Sequence, residues 1–293
     1  MDRVYLNGRF VSREHACVPV TDRGLLFGDS VYEVIPAYGG VPFRLAQHLQ
    51  RLERSLAAIR LDNPLSRSAW EAVIGELCGD GGGEDRSIYV QVTRGAYPTR
   101  NHRIPAEVTP TVIAFSSPIP QRDPRIAQKG IAVITTPDIR WHRCDIKATT
   151  LLANILAQAE AVEKGADDAI FVRDGLATEG TASNLFIVAE NRLITPPKGD
   201  QLLPGITRDL VLELAKEAGV PYRETPITVD SLAQATEVWL TSSTREIAPV
   251  VRLDGRTVGD GRPGPLWRRM DRLFQQAKER LRQAARKRDE TNE

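Results

Sequence analysis

Short runs of alternating apolar and polar residues dominate the first third of the chain. Val4 to Leu6 and Arg9 to Val11 flank Asn7-Gly8, a dipeptide suited to the positive φ values of a two-residue hairpin turn. Ser30 to Tyr38 and Val41 to Leu45 flank Gly39-Gly40 and predict a second hairpin, with Pro36 marking an edge or a bulge. Between them TDRGLLFGD, residues 21–29, reads as a glycine-punctuated loop. At residue 46 the period changes: AQHLQRLERSLAAI sets Leu49, Leu52, Leu56 and Ile59 on one face, so a helix is expected whose geometry places His48 and Arg51. A second helix is expected over 66–78. The tract GDGGGED lacks the strand-before, helix-after setting of a phosphate loop and reads as a surface turn. Arg86 to Arg94 and Thr109 to Phe115 read as strands joined by a long polar connection, a length often associated with function.

The proline- and charge-rich tract SSPIPQRDPRIAQK reads as a linker. The expected organisation is a small N-terminal α/β domain over 1–119, a linker over 120–130 and a larger C-terminal domain over 131–293. In the second half, apolar strand runs such as GIAVITT, DAIFV, NLFIV and TEVWLTS alternate with helical patterns, a mixed α/β (α+β) arrangement. A closing helix over 266–281 turns Trp267, Met270, Leu273, Phe274 and Ala277 inward, and the polar end ARKRDETNE reads as a frayed tail.

The stretch WHRCDIKATTLLANILAQAEA, residues 141–161, leads one lysine into an apolar helix. Thr149 or Thr150 is the expected N-cap, and Leu151, Leu152, Ile155, Leu156 and Ala159 the expected buried face. Burial disfavours an ammonium ion, so Lys147 in such a setting becomes a nucleophilic amine able to form a Schiff base with a carbonyl. On these residues alone, an ordinary solvated lysine is the simpler reading.

Composition narrows the choice of partner. The 293 residues carry 39 basic and 38 acidic side chains, a net charge of +1, so no bulk field favours nucleic acid or an acidic membrane. A small molecule is the expected partner. Three widely spaced cysteines, with no CxxC pair and no histidine cluster, predict a reduced cytoplasmic protein without a structural metal. Neither a signal-peptide core nor a membrane span is expected.

Three further segments offer chemistry, each with a plain structural alternative. Glu179, in TEGTASN, is a carboxylate between strand signals or a solvated turn acid. LPGITR enters a helix through glycine, where free amides, the helix dipole and a hydroxyl suit a phosphate, or it is an ordinary helix start. TSST, residues 241–244, offers hydroxyls at a strand end, where open α/β sheets bind ligands, though many strands end so without one.

Taken together, DRGLLFGDSVYE at 22–33, HLQRL at 48–52, QVTRG at 91–95, RWHRCDIK at 140–147, EGTASN at 179–184, PGITRD at 204–209 and TSSTREIAPV at 241–250 resemble the class IV aminotransferases. These are the pyridoxal-phosphate enzymes of fold type IV, and the likeness is greatest to the D-amino acid aminotransferases. It spans nearly the full length. It implies pyridoxal 5'-phosphate held by Lys147, which also shuttles a proton, with Glu179 facing the pyridine nitrogen. It implies that Arg51, Ile206, Thr207, Ser242 and Ser243 hold the phosphate, and that Tyr32, Arg100 and His102 bind the substrate carboxylate. Ser243 stands where relatives often have threonine, Ala182 replaces a common serine, and the connection 95–100 is one residue longer. The resemblance further implies transamination of D-amino acids with a 2-oxo acid, in a homodimer that shares its active sites. Branched-chain L-amino acid transfer, R-selective amine transfer and aminodeoxychorismate lysis are the alternatives within the family. A cofactor-free binding protein of the same fold is the alternative outside it.

Overall fold

The computed structural model describes residues 3–80 and 83–292, so Gly81 and Gly82 of the glycine tract lie outside the described residues. The chain divides into two units: residues up to Pro120 with Ile146–Thr150 and the chain end from Lys278, and Gln121–Asp145 with Leu151–Ala277.

The first unit begins with β1 (Arg3–Leu6) and β2 (Arg9–Ser12), turning at Asn7 and Gly8 with φ of 48° and 94°. There follow α1 (Arg23–Phe27), β3 (Ser30–Tyr38), β4 (Val41–Pro42), α2 (Leu45–Ala58), α3 (Arg67–Gly79), β5 (Arg86–Thr93) and β6 (Thr111–Pro118). The strands form an antiparallel sheet in the order β2-β1-β6-β5-β3-β4. The second hairpin has only a two-residue return arm, because the chain turns into α2 at Arg44, which adopts a left-handed conformation. With β4 so short, most of the outer edge of β3 remains open, and the Lys147 segment takes it: Val31 bridges Ala148, and the Tyr32 N–H donates to the Lys147 carbonyl. Leu49, Leu52 and Leu56 of α2 and Trp70, Ile74 and Leu77 of α3 pack with Ile35, Ile88 and Val90 of the sheet in one apolar core.

The second unit comprises α4 (Pro124–Lys129), β7 (Ile131–Pro137), α5 (Leu152–Glu163), β8 (Asp168–Arg173), β9 (Leu176–Gly180), β10 (Asn184–Ala189), β11 (Arg192–Thr195), α6 (Ile206–Glu217), β12 (Tyr222–Glu224), β13 (Ile227–Thr228), α7 (Val229–Ala233), β14 (Glu237–Ser242), β15 (Glu246–Leu253) and β16 (Arg256–Thr257). The strand path β10-β14-β15-β7-β8-β9 returns to β10 through the pair Asn184 and Glu179, which closes the sheet. The final helix, α8 (Pro265–Asn292), buries Trp267, Met270 and Phe274.

Several expectations are corrected. The 116–129 tract is not featureless: Asp123 caps α4 by accepting from the Arg125 N–H. Helical backbone continues to Asn292, past the expected fraying point, because an established helix gains a hydrogen bond with each added residue. Lys147 was expected within the C-terminal domain, yet its segment groups with the N-terminal unit through its bonds to β3. Neither Thr149 nor Thr150 caps α5, which starts after Leu151 without a side-chain cap. The buried face of α5 is Ala157 and Ala161, whereas Leu152, Ile155, Leu156 and Val162 are 53–69% exposed. Alanines allow α5 to lie close to β7 and β8, so the larger apolar side chains are turned outward. Among the described residues, no helix is long and apolar enough to cross a membrane.

Candidate active site

In the first unit Lys147 is positioned by its backbone. Its N–H donates to Ser55 Oγ at 3.2 Å and its carbonyl accepts from Tyr32, tying one short segment to both α2 and β3. The side chain then lies over Tyr32, with Nζ 4.2 Å from the ring centroid, a cation–π placement. The structure therefore brings together the predicted amine and the predicted tyrosine.

One residue beyond Tyr32, Glu33 is fully buried and receives two nitrogens of Arg51, Nε at 2.7 Å and Nη2 at 2.8 Å. His48, one helical turn earlier on α2, lies with Nδ1 2.8 Å from the same carboxylate; an ionised carboxylate only accepts, so Nδ1–H donates. Burial opposes the charge on Glu33, yet Arg51 and His48 prevail and hold it well below the ordinary carboxylate range. Burial lowers His48. The predicted phosphate arginine is thus held by an acid to which the sequence analysis assigns no role.

Arg100 and His102 lie against Phe27 at the end of α1, at 5.1 Å from guanidinium carbon to ring centroid and 5.0 Å between ring centroids. The same ring receives Arg23, whose Nη1 donates to the Asn101 carbonyl and whose Nε donates to Asp29. Arg94 holds Asp29 from a second direction. The motif DRGLLFGD is therefore the anchor of the 96–103 loop. Gly28 ends α1 in the left-handed region, φ 64°, where a Cβ would press on Thr150.

In the second unit Glu179 occupies the closing pair of the sheet. Arg140 Nη1 donates to its Oε1 at 2.5 Å, while the Leu203 N–H at 3.0 Å and Asn184 Nδ2 at 3.3 Å donate to Oε2. Burial pushes this carboxyl up to about 7, against the opposing effect of Arg140 and the Leu203 amide. The solvated turn acid is excluded. Asn184 also donates to the Leu203 carbonyl, and it packs so closely on Gly205 that a Cβ there would collide with Asn184 Oδ1. That contact joins Glu179 to the start of α6.

Gly205 is the N-cap of α6 and no side chain caps it, so Ile206 and Thr207 stand in a first turn that presents backbone amides. Ser242 ends β14 and Ser243 opens the tight turn after it, where Ser242 Oγ accepts from the Arg245 N–H and Arg245 is anchored on Asp168. Beside these features, Ser183 Oγ and Thr241 Oγ1 are buried with no hydrogen-bond partner among the described residues. Two orphaned hydroxyls, an uncapped helix start and a buried carboxylate form a donor and acceptor set that fits an anionic group carrying a basic ring nitrogen. Pyridoxal phosphate is such a group.

Three residues carry no role in the sequence analysis: Glu33, Asp138, which accepts from Arg140 Nε, and Arg173, which lies against Asp138. All three are charged residues beside or within strongly apolar strand runs, and a charge in that position has to find a buried partner.

Comparison with known proteins accounts for the arrangement. Residues 30–253 match the family model for amino-transferase class IV. The chain is 42% identical to a D-alanine aminotransferase of Bacillus licheniformis over 93% of its length and 96% of that protein. It is 38% identical to one of Staphylococcus haemolyticus, over 94% and 97%. Among solved structures, an Escherichia coli branched-chain amino acid aminotransferase superposes with a TM-score of 0.85 at 30% identity, covering 93% of both chains. Class IV aminotransferases depend on pyridoxal phosphate. This chain belongs to the class IV aminotransferases, the fold type IV enzymes that use that cofactor.

Proposed function

We propose that this enzyme transfers the amino group of D-amino acids, D-alanine foremost, to a 2-oxo acid such as 2-oxoglutarate, giving pyruvate and D-glutamate. The observation that carries the reading is the 42% identity to D-alanine aminotransferase over nearly the whole chain, against 30% to the branched-chain enzyme of the same fold. When bound, pyridoxal phosphate supplies a carbonyl that takes up the amino group and a protonated ring that accepts the electron pair released at Cα. In this reading Lys147 Nζ attaches the cofactor and then moves the proton to and from Cα. Glu179 holds the proton on the ring nitrogen by charge. The first amides of α6 at Ile206 and Thr207, the hydroxyls of Thr207, Ser242 and Ser243, and the guanidinium of Arg51 receive the phosphate.

Handedness follows from where the substrate carboxylate goes. With the proton delivered from one face, exchanging the carboxylate and the side chain between their pockets inverts the product. Tyr32, Arg100 and His102 offer a carboxylate charge-assisted hydrogen bonds of ~1.5–3 kcal/mol each, which an aliphatic side chain would leave unmade. In a coupled assay D-alanine is expected to outpace L-leucine and L-valine, and Arg100→Leu to raise KM for D-alanine by about 10- to 100-fold, one such bond converted at ~1.4 kcal/mol per tenfold. Faster turnover of L-leucine, or an unchanged KM in Arg100→Leu, moves the assignment to branched-chain transfer.

We read the enzyme as a homodimer whose 96–103 loop completes the partner's site. Support comes from α5, where Leu152, Ile155, Leu156 and Val162 leave an exposed apolar face of the kind that subunit contacts cover. Three free cysteines suit a reducing compartment, and we place the enzyme in the cytoplasm.

A further inference from the structure

Around the 138–142 segment lies a set of buried charges that the residue roles above do not use. Arg173, at the end of β8, donates through Nη2 to the carbonyls of Arg140 at 2.9 Å and Trp141 at 3.2 Å, and the same nitrogen lies 3.1 Å from Asp138 Oδ2. Its Nη1 lies 3.4 Å from His142 Nδ1. One guanidinium thus holds the segment at four residues. Asp138 in turn clamps Arg140, accepting from its Nε at 2.9 Å and Nη2 at 2.9 Å, which leaves Arg140 Nη1 directed at Glu179. The result is two guanidinia and two carboxylates in one buried set, with the charges balanced.

We propose that Arg173 is a positioning residue for the aminotransferase reaction: it holds the 138–142 segment so that Arg140 meets Glu179, and by balancing Asp138 it keeps Glu179 an anion. The proposal rests on the reading that Glu179 faces the ring nitrogen of the cofactor. Removing the Arg173 charge has two consequences of the same sign. The segment loses its anchors at the Arg140 and Trp141 carbonyls, which loosens Arg140, and Asp138 and Glu179 are left sharing one guanidinium. Each raises the cost of a negative charge on Glu179. The balance is already close, since burial lifts this carboxyl to about 7 and Asp138 adds to the lift. The remaining groups around it do not compensate: Asn184 is a neutral amide, His142 sits beside Arg173, and the Cys144 thiol is itself raised by burial. A protonated Glu179 no longer favours the proton on the cofactor nitrogen through charge.

The test uses holoenzyme loaded with pyridoxal phosphate that carries the heavy nitrogen isotope in its ring, in the wild type and in Arg173→Gln, Arg173→Lys and Glu179→Gln. In Arg173→Gln the ring nitrogen is expected to lose its proton about one pH unit or more lower than in the wild type, a tenfold change in its dissociation constant. An infrared band of a protonated carboxyl should accompany it and vanish when Glu179→Gln is added. The rate constant kcat should fall while KM for D-alanine stays within about twofold, because the carboxylate-binding side chains are untouched. Arg173→Lys keeps the charge without the fork and should titrate between the two. A folded Arg173→Gln, or Arg173→Lys where the former does not fold, with the wild-type nitrogen titration and no carboxyl band overturns the proposal. Should Glu179→Gln alone leave the nitrogen signal unmoved, the placement of Glu179 fails instead, and Arg173 is then judged on the carboxyl band.

Discussion

At the scale of single residues, Lys147 shows how a backbone can fix the place of a side chain. Its main chain hydrogen-bonds to Ser55 and Tyr32, and truncating the side chain leaves that mount in place. Lys147→Ala is therefore expected to keep its thermal midpoint within a few degrees of wild type and to lose about 10²–10⁴-fold or more in turnover. Calorimetry beside a D-alanine assay checks both halves, and wild-type turnover in this variant would remove the central role given to the amine. Glu179 and Glu33 are two buried carboxyls with opposite outcomes: burial prevails over the partners at Glu179, and the partners prevail over burial at Glu33. The folded value of Glu179, about 7, lies above its ordinary 4.5. In cofactor-free protein its share of stability is therefore present below pH 4.5 and lost as pH rises through 7.

At the scale of elements, the cluster of Glu33, His48 and Arg51 ties β3 to α2 across the core of the first unit. Glu33 titrates far below 4.5 when folded, so its contribution is present above that pH and lost as the pH falls. Glu33→Gln should cost about 3–5 kcal/mol at neutral pH, because the buried Arg51 charge loses its anion. It should also flatten the acid limb of stability against pH. Urea melts of wild type and variant at neutral and acid pH measure the two effects, and parallel acid limbs would show that the pair is not coupled to folding as described. The α5 helix teaches a different lesson. Its apolar positions recur with helical spacing, yet the burial falls on Ala157 and Ala161, because close approach to the sheet selects the smallest side chains.

At the scale of the whole molecule, the outward face of α5 bears on assembly. Ile155 is 61% exposed in the single chain, and in the proposed dimer it lies under a partner. Ile155→Glu should shift sedimentation from dimer to monomer and lower activity with it, since a buried unpaired carboxylate costs several kcal/mol. A wild-type chain that sediments as an active monomer would rule out the shared site. Within the second unit, closure of the sheet through Asn184 and Glu179 places the carboxylate and the start of α6 on one connected scaffold.

Much of this was legible in the order of residues. The Asn7-Gly8 hairpin, the amphipathic α2 and the helix capped by Ser66 follow from local rules, in which φ preferences, spacing and capping need only neighbours along the chain. The motifs around Lys147, Glu179, Gly205 and Ser242 were legible for a second reason: in the proposed site they serve one cofactor, and a shared ligand constrains several short segments at once. Tertiary structure alone decided which partners the buried charges find. Nothing local pairs Arg51 with Glu33, 18 positions away, or Arg140 with Glu179, 39 away. Nor does spacing reveal that Lys147 would ride on the outer edge of β3, or that α5 would bury its alanines. Those outcomes depend on how strands close and on how little room a sheet leaves beneath a helix, and neither is a property of any window of sequence.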